Sequence, residues 1–536
     1  MKKFQGFTVK GKPFFPLGAQ AHNSSSYSRE MFRESCRAAL ALNCNTVEAP
    51  IYWEKIEPRE NEFDFTCIDY MLDECRANRL RLVILWFASW KNGDCSYAPE
   101  WVKRDMSRFK RVLRSDGVPV ADLSAHCKTN RDADAKAFAA VCDYLKKTDQ
   151  NQETVIAIQV ENEPGYLRTD RDYSEQALEN QKAKVPGELL SYLENRHEAH
   201  AYRDWEKNGK KREQCWFDSF GFHGYEYCEA WHLAKYIVEV CAAGKAKYDI
   251  PLYINVWMND GSPWGVPGIE YPGGGAVERT LHVWLAAAKY IDLIAPDIYE
   301  QNCYRYEKIC DFYSTEENTL FIPESSANIT SACNMFYAIT KGAAGYAIFG
   351  SESCIDDEGN LAKTAIPVRE SNTAVRNIMP LLMKHRNSGK VYPVVPHTDK
   401  DTQGFEFEEF IGCVALKNDR RLDYSTRRKL KSPDLEPGAD DRPFADRMNS
   451  RGLIIEDEKK CFYLAGRFSL QLAPKKSPDV SFIANSLPTP DFISIEEGYL
   501  NDDGSFVCRR VRNGDEAFFG GFWVMPECGV VRVKLL

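Results

Sequence analysis

Between residue 14 and about residue 385 the chain alternates short apolar runs with stretches whose apolar residues return every three or four positions. The first run covers residues 14–23. Phe32, Cys36, Ala39 and Leu40 then recur at i, i+4, i+7 and i+8, the spacing of a helix with one buried stripe. Further runs occupy 44–53, 80–90, 154–163, 251–259, 291–300, 319–326 and 345–353. Helical stripes lie between several of them, such as Ile68, Met71, Leu72 and Cys75, or Trp231, Ala234, Ile237, Val238 and Cys241. Strands this continuously apolar belong in a parallel sheet buried on both faces. Eight of them, each followed by a helix or a long connection, predict a closed (β/α)8 TIM barrel over residues 1–385. A doubly wound open sheet is the alternative, but neither G-x-G-x-x-G nor a P-loop is present to support it. A charged insertion at about 166–225 follows the fourth run and mixes aromatics with both signs of charge. Its position after a strand end predicts a rim or lid over the barrel mouth.

After residue 386 the period changes. GKVYPVV, GFEFEEFIGCVALK, CFYLAGRFSLQLA, DFISIEEGYL, GSFVCRRV, EAFFGGFWVM and GVVRVKLL are short strand patterns divided by Gly, Asp, Asn and Pro. They predict an all-β, sandwich-like C-terminal domain at 386–536. The stretch from 419 to 452 is charged and poor in apolar residues, and its mixed signs favour a solvated loop over a partner patch.

The chain has 536 residues, more than one ordinary domain, and a net charge of −9. With a pI near 5.7 it offers no chain-wide surface for nucleic acid. Mean hydropathy is −0.46 and no run approaches the ~20 apolar residues of a membrane helix. The opening MKKFQGFTVKGKPFFPLG lacks an apolar signal core, so a cytoplasmic location is expected. Eighteen cysteines are scattered without a C-x-x-C, as reduced thiols would be. Nine histidines form no H-E-x-x-H, so neither a metal nor a cofactor is expected.

In such a barrel, function sits where strands end. Two carboxylates occupy strand ends: Glu163 closes AIQVENEPG on the fourth run, and Glu324 closes LFIPESS on the seventh. A glycosidase requires such a pair, one protonated for the leaving oxygen and one ionised for the anomeric carbon.

The surrounding words carry a resemblance. QVENEPG, Gln159 to Gly165, resembles the acid/base segment of glycoside hydrolase family 35, the β-galactosidases. NTVEAPIYWEKIEPRENEFDF, Asn45 to Phe65, resembles a stretch shared by families 35 and 42, and FTVKGKPFFPLGAQAHN resembles the opening strand. Asn-Glu ending strand four, with a second Glu ending strand seven, is the broader mark of the clan A retaining glycosidases. The resemblance implies Glu163 as acid/base, Glu324 as nucleophile, Asn162 as partner of the sugar 2-hydroxyl and Tyr299 as hydrogen-bond donor to the nucleophile. The chain departs from the pattern at Pro50, where a tyrosine is usual, at Gln20, where Glu is frequent, and in the wording IPESS. Galactose as the sugar is therefore the less secure part of the resemblance.

Several aromatics near strand ends (Trp53, Trp86, Phe87, Trp90, Trp257, Tyr299 and Phe349) suit the apolar faces of sugars, with Trp257 and Trp86 the leading platforms. Gln20 and His22 are candidate hydroxyl partners, and Glu161 reads as a hydrogen-bonded structural carboxylate. The expected protein is a retaining exo-acting β-glycosidase, a β-galactosidase first. It acts on a β-linked oligosaccharide or glycoside, with no nucleic acid or membrane partner and with a homo-oligomer allowed. The alternatives are a β-glucosidase or other β-glycosidase, a catalytically silent glycan-binding barrel, or, with least support, a metal-dependent barrel hydrolase.

Overall fold

A computed structural model describes residues 3–259, 265–396, 399–416, 450–475, 490–512 and 522–536. Six parallel strands, Leu17–Gln20, Thr46–Tyr52, Arg81–Lys91, Val155–Asn162, Leu252–Trp257 and Leu293–Asp297, lie side by side in chain order. The eighth, Tyr346–Phe349, pairs in parallel with the first, Ala347 opposite Gly18. The seventh run forms no regular ladder, since Pro323 has no N–H to give. It closes the ring all the same. Ala347 N donates to Ile322 O at 2.8 Å on one side, and Ile298 N donates to Glu324 O at 3.0 Å on the other. Pro50 is tolerated in a central strand because the first strand has already ended, its last pair being Gln20 with Glu48.

Alternation sorts the side chains. Val83, Leu85, Phe87, Ala157, Tyr253, Leu293, Ala295 and Phe321 fill the barrel interior. Their neighbours Leu82, Ile84, Trp86, Ile158 and Ile294 face the surrounding helices. Phe7, on the hairpin Phe7–Val9 with Lys12–Phe14, meets Phe321 edge-on and plugs the lower end. Helices begin where side chains can take up their first N–H groups: Ser28 accepts from Met31 N, and Asn302 from Tyr304 N and Arg305 N.

The 166–225 segment folds into short helices, Glu175–Lys182, Gly187–Leu193, His200–Lys207 and Trp216–Phe220, on the barrel's flank. They pack on helices Gly224–Lys245 and Leu281–Ala287. Polar contacts fix them there, including Gln181 Nε2 to Glu229 at 3.0 Å and Asn180 Nδ2 to His126 Nδ1 at 2.9 Å.

From Val391 onward the described strands are antiparallel. The 14-residue strand Cys461–Pro474 is the hinge of this sheet. Its first half pairs with Arg451–Glu458 and Val530–Leu535, its second with Phe410–Ala415 and Phe522–Val524. The bend falls where Gly466 faces Gly452. A Cβ on either would sit 2.3 Å from a backbone oxygen of the other strand. The two halves enclose Phe410, Ile454, Phe462, Leu464, Phe468 and Val531. Leu453, Ile455 and Tyr463, on the opposite parity, join the barrel-side core beneath helix Ile366–His385. Buried Arg451 and half-buried Arg467 both bond Glu370 on that helix. Most of the charged 419–452 stretch and residues 516–521 of the EAFFGGFWVM pattern lie outside the described residues. Among the described residues no helix is long and apolar enough to cross a membrane.

Candidate active site

The fourth strand ends irregularly. Glu161 and Glu163 both adopt left-handed backbone, φ 63° and 47°, uncommon for non-glycine residues and a mark of stored strain. At Glu161 the turn breaks the in–out alternation. Its carboxylate leaves the interior to accept from Trp90 N at 2.7 Å and to meet Asp134 of the helix layer, so it is a structural group, as expected. At Glu163 the strained turn is held by Asn255 of the fifth strand, whose Oδ1 accepts from Glu163 N at 2.8 Å. Gly165 follows at φ 154°, where a Cβ would come within 2.5 Å of Pro272.

Glu163 points into the mouth, where one carboxylate oxygen each from Glu163, Asp297 and Glu324 lies within 4.8 Å of the other two. Tyr299 OH donates to Glu324 Oε2 at 2.7 Å. Lys91, ending the third strand opposite Asn162, donates from Nζ to Asn162 Oδ1 at 2.8 Å. A lysine only donates, so this contact fixes the amide. Asn162 Nδ2 is left buried, with no partner among the described residues. Lys91, Glu163, Asp297, Tyr299 and Glu324 line a cavity of about 1080 Å³ that also takes in Trp257, Phe349, Glu278 and the Arg305, Lys308 and Phe312 side chains of helix Cys303–Tyr313.

Burial, and then the nearby Glu324 charge, raise the Glu163 pKa to about 7, so the group keeps its proton through weakly acidic pH and releases it around neutrality. Asp297 is pushed well above the usual carboxylate range, first by burial and then by Glu324 and Glu163. Three carboxyls this close are a conceivable cation cage. Lys91, however, sits near enough to act on both Glu163 and Asp297 and already supplies the positive charge. The set reads as one neutralised by an ammonium and by protons. The Glu163 shift also affects folding. Its pKa rises on folding from about 4.5 to about 7, so the folded state is penalised once pH climbs through that window. Glu163→Gln is expected to stabilise the protein by roughly 2–3 kcal/mol at pH 8 and by little near pH 4.5. Urea melts at the two pH values check this, and an equal effect at both would contradict it.

The structure gathers Glu163, Glu324, Tyr299 and Trp257 at one mouth, with Asn162 buried behind Lys91. It moves others away. Trp86 is a correction: it lies on the outward parity of its strand, fully buried, donating from Nε1 to Asp134 at 2.9 Å, and stacks on nothing in the cavity. Trp53, Phe87 and Trp90 are likewise core residues. Gln20 is buried below the cavity, where Nε2 donates to Pro323 O at 3.1 Å and to Glu48 at 3.5 Å. His22 is exposed at the rim, bonded to Ser353 at 2.8 Å and edge-on to Phe349. The lid expected from 166–225 is also corrected: no residue of that segment lines the cavity, and it reaches the lining at Glu278, which His200 contacts at 3.5 Å. Sequence reasoning missed Lys91, Asn255 and Asp297. A signal existed for two of them: Asn255 and Asp297 stand on the inward parity of otherwise apolar strands, two residues before Trp257 and Tyr299.

Two family models match the chain. Residues 22–208 match one described as Beta-galactosidase, glycoside hydrolase family 42, and residues 369–522 match one described as a domain of unknown function, DUF5597. A β-galactosidase from Xanthomonas manihotis is 27% identical over 179 residues, which is 31% of this chain and 26% of that protein. The catalytic domain of β-amylase from Paenibacillus polymyxa aligns with a TM-score of 0.50 at 12% identity, over 67% of this chain and 97% of that one. The β-galactosidase from Marinomonas ef1 aligns at 0.48 and 10% identity, over 69% and 61%. The matched relative thus shares about a quarter of its length with this chain, and the β-amylase likeness speaks for the barrel fold.

Proposed function

We propose that this protein is a retaining exo-acting β-glycosidase, a β-galactosidase in the first instance, with Glu163 as acid/base and Glu324 as nucleophile. The observation that carries the reading is the pair itself: two carboxylates within 4.8 Å at the same end of the barrel, one with its pKa raised to about 7, the other accepting from a tyrosine. Retaining enzymes need carboxyls ~5–5.5 Å apart, whereas inverting ones leave ~6.5–9.5 Å for a water. In the first step a Glu324 oxygen bonds the anomeric carbon as the glycosidic C–O bond breaks. The Glu163 proton passes to the departing oxygen, and the aglycone leaves as an alcohol. The Glu163 carboxylate then takes a proton from water, whose oxygen displaces Glu324 and releases the sugar with its original anomeric configuration. Asn162 Nδ2, oriented by Lys91, is the donor for the sugar 2-hydroxyl. Trp257, Tyr299 and Phe349 form the apolar wall.

The catalytic unit in this reading is residues 1–385, with 386–536 as an accessory β domain, and eighteen free thiols suit a reducing, cytoplasmic setting. The matched β-galactosidase model and relative favour galactose. Pro50 and the sealed position of Gln20 remove two side chains that the galactosidase pattern uses, so a β-glucoside or other β-glycoside is the second reading. A panel of p-nitrophenyl β-glycosides decides between them. The expected result is fastest release from the galactoside, unchanged by EDTA. Turnover of another glycoside alone would move the assignment to that sugar. No turnover of any, with glycan binding retained, would leave a silent binding barrel.

A further inference from the structure

The glycosidase reading uses two of the three clustered carboxyls and leaves Asp297 without a task. Asp297 ends the sixth strand, is 3% exposed, and is gripped on one oxygen only: Asn255 Nδ2 donates to Oδ2 at 2.7 Å. Oδ1 is buried with no hydrogen-bond donor among the described residues, yet the carboxyl is in contact with that of Glu163. Two carboxyl oxygens in contact require a proton between them. The charge balance agrees. Lys91 is the ammonium that acts on Glu163 and Asp297, and the nucleophile must be ionised, so the other two carboxyls are best accommodated neutral in a buried site. We propose that Asp297 is a positioning residue for Glu163: it keeps a proton on Oδ1 and donates it to the Glu163 carboxyl throughout the cycle.

The proposal rests on the retaining reading above and assigns what that reading leaves open. Asn255 is the common anchor. Its Oδ1 fixes the Glu163 backbone and its Nδ2 fixes Asp297, so the two carboxyls are held by one amide. Before reaction the Asp297 O–H steers Glu163 so that the Glu163 proton faces the bridging oxygen. After that proton has gone to the aglycone, the same O–H caps the Glu163 carboxylate, which then takes a proton from water. Asp297 itself neither gains nor loses one. The charged and titratable groups facing it are Lys91 from the third strand, Glu163 from the fourth, Tyr253 from the fifth, Tyr299 beyond the sixth, Glu324 from the seventh and Tyr313 from helix Cys303–Tyr313. Burial is the main reason that Asp297 retains its proton.

The test compares Asp297→Asn with Asp297→Val in the full chain. The amide keeps a donor and no charge, whereas valine keeps the volume and loses the donor. Glu163 is followed by 13C-carboxyl titration, assigned by its loss in Glu163→Gln, and thermal melts accompany each variant. Asp297→Asn is expected to leave the Glu163 midpoint within a few tenths of a pH unit of wild type. Asp297→Val is expected to raise it, because an ionised Glu163 loses its capping donor. On aryl β-glycosides, Asp297→Asn should keep kcat/KM within about fivefold. Asp297→Val should lose ~10–100-fold on poor leaving groups and much less on dinitrophenyl glycosides, where protonation matters little. A fall of a full pH unit or more in the Glu163 midpoint of Asp297→Asn would overturn the proposal, since it would reveal a charged Asp297. An unchanged midpoint in Asp297→Val would overturn it too. Should valine prevent folding, the asparagine variant alone decides. Should wild type cleave no glycoside, the retaining reading fails while the titration still judges the Asp297–Glu163 contact.

Discussion

Glu324→Ala is expected to lower kcat by roughly 10⁴–10⁶-fold, because in the proposed double displacement it removes the atom that bonds the anomeric carbon and leaves no replacement. Asp297 and Glu163 lie within 4.8 Å, but their own mutual contact engages them and burial disfavours the ionised form of each. The alanine leaves a small void on the face that Glu324 occupied. Azide entering there should restore part of the rate and yield a glycosyl azide of inverted configuration. The measurement is product analysis with an activated glycoside in added azide. Azide that failed to rescue, or a variant that kept more than a few per cent of wild-type kcat, would remove Glu324 from the nucleophile's place.

Glu163→Ala has the second largest expected effect, and its signature is selectivity. A dinitrophenyl leaving group departs with little help, so its glycosylation step should fall by less than about tenfold. Alkyl and disaccharide leaving groups need the proton and should lose ~10²–10⁴-fold. Deglycosylation also loses its base, so the glycosyl-enzyme should accumulate, and small anions should speed its breakdown. Stopped-flow burst kinetics read both effects. A uniform loss across leaving groups would show that Glu163 shapes the site without transferring a proton.

The two carboxylates were legible in the sequence because each closes an apolar strand, and a parallel barrel brings all such closures to one end. Tyr299 and Trp257 followed from the same logic. Trp86 did not, because nearness to a strand end says nothing about side. Val83, Leu85 and Phe87 fill the interior, which turns Trp86 outward. Glu161 shows the converse limit. Alternation puts it on the Glu163 side, and only the left-handed backbone at φ 63° sends it to Asp134. The seventh strand was readable as an apolar run, although its pairing rests on isolated bonds around Pro323. The flank position of 166–225 had no signal, since mixed charges and aromatics suit a mouth and a barrel side equally. Lys91 depends on a contact across strands far apart in sequence. Lys91 reads as an exposed polar end until Asn162 is seen opposite it.

The central claim is double displacement between Glu163 and Glu324, and the anomer of the first-formed sugar tests it most directly. Wild-type enzyme and an aryl β-galactoside, or whichever β-glycoside proves fastest, are followed by 1H NMR from the first turnover, before mutarotation blurs the signal. The account predicts that the β-anomeric proton appears first and the α signal grows in later. An α-anomer appearing first would mean a single inverting displacement and would contradict the assignment of Glu324 as nucleophile.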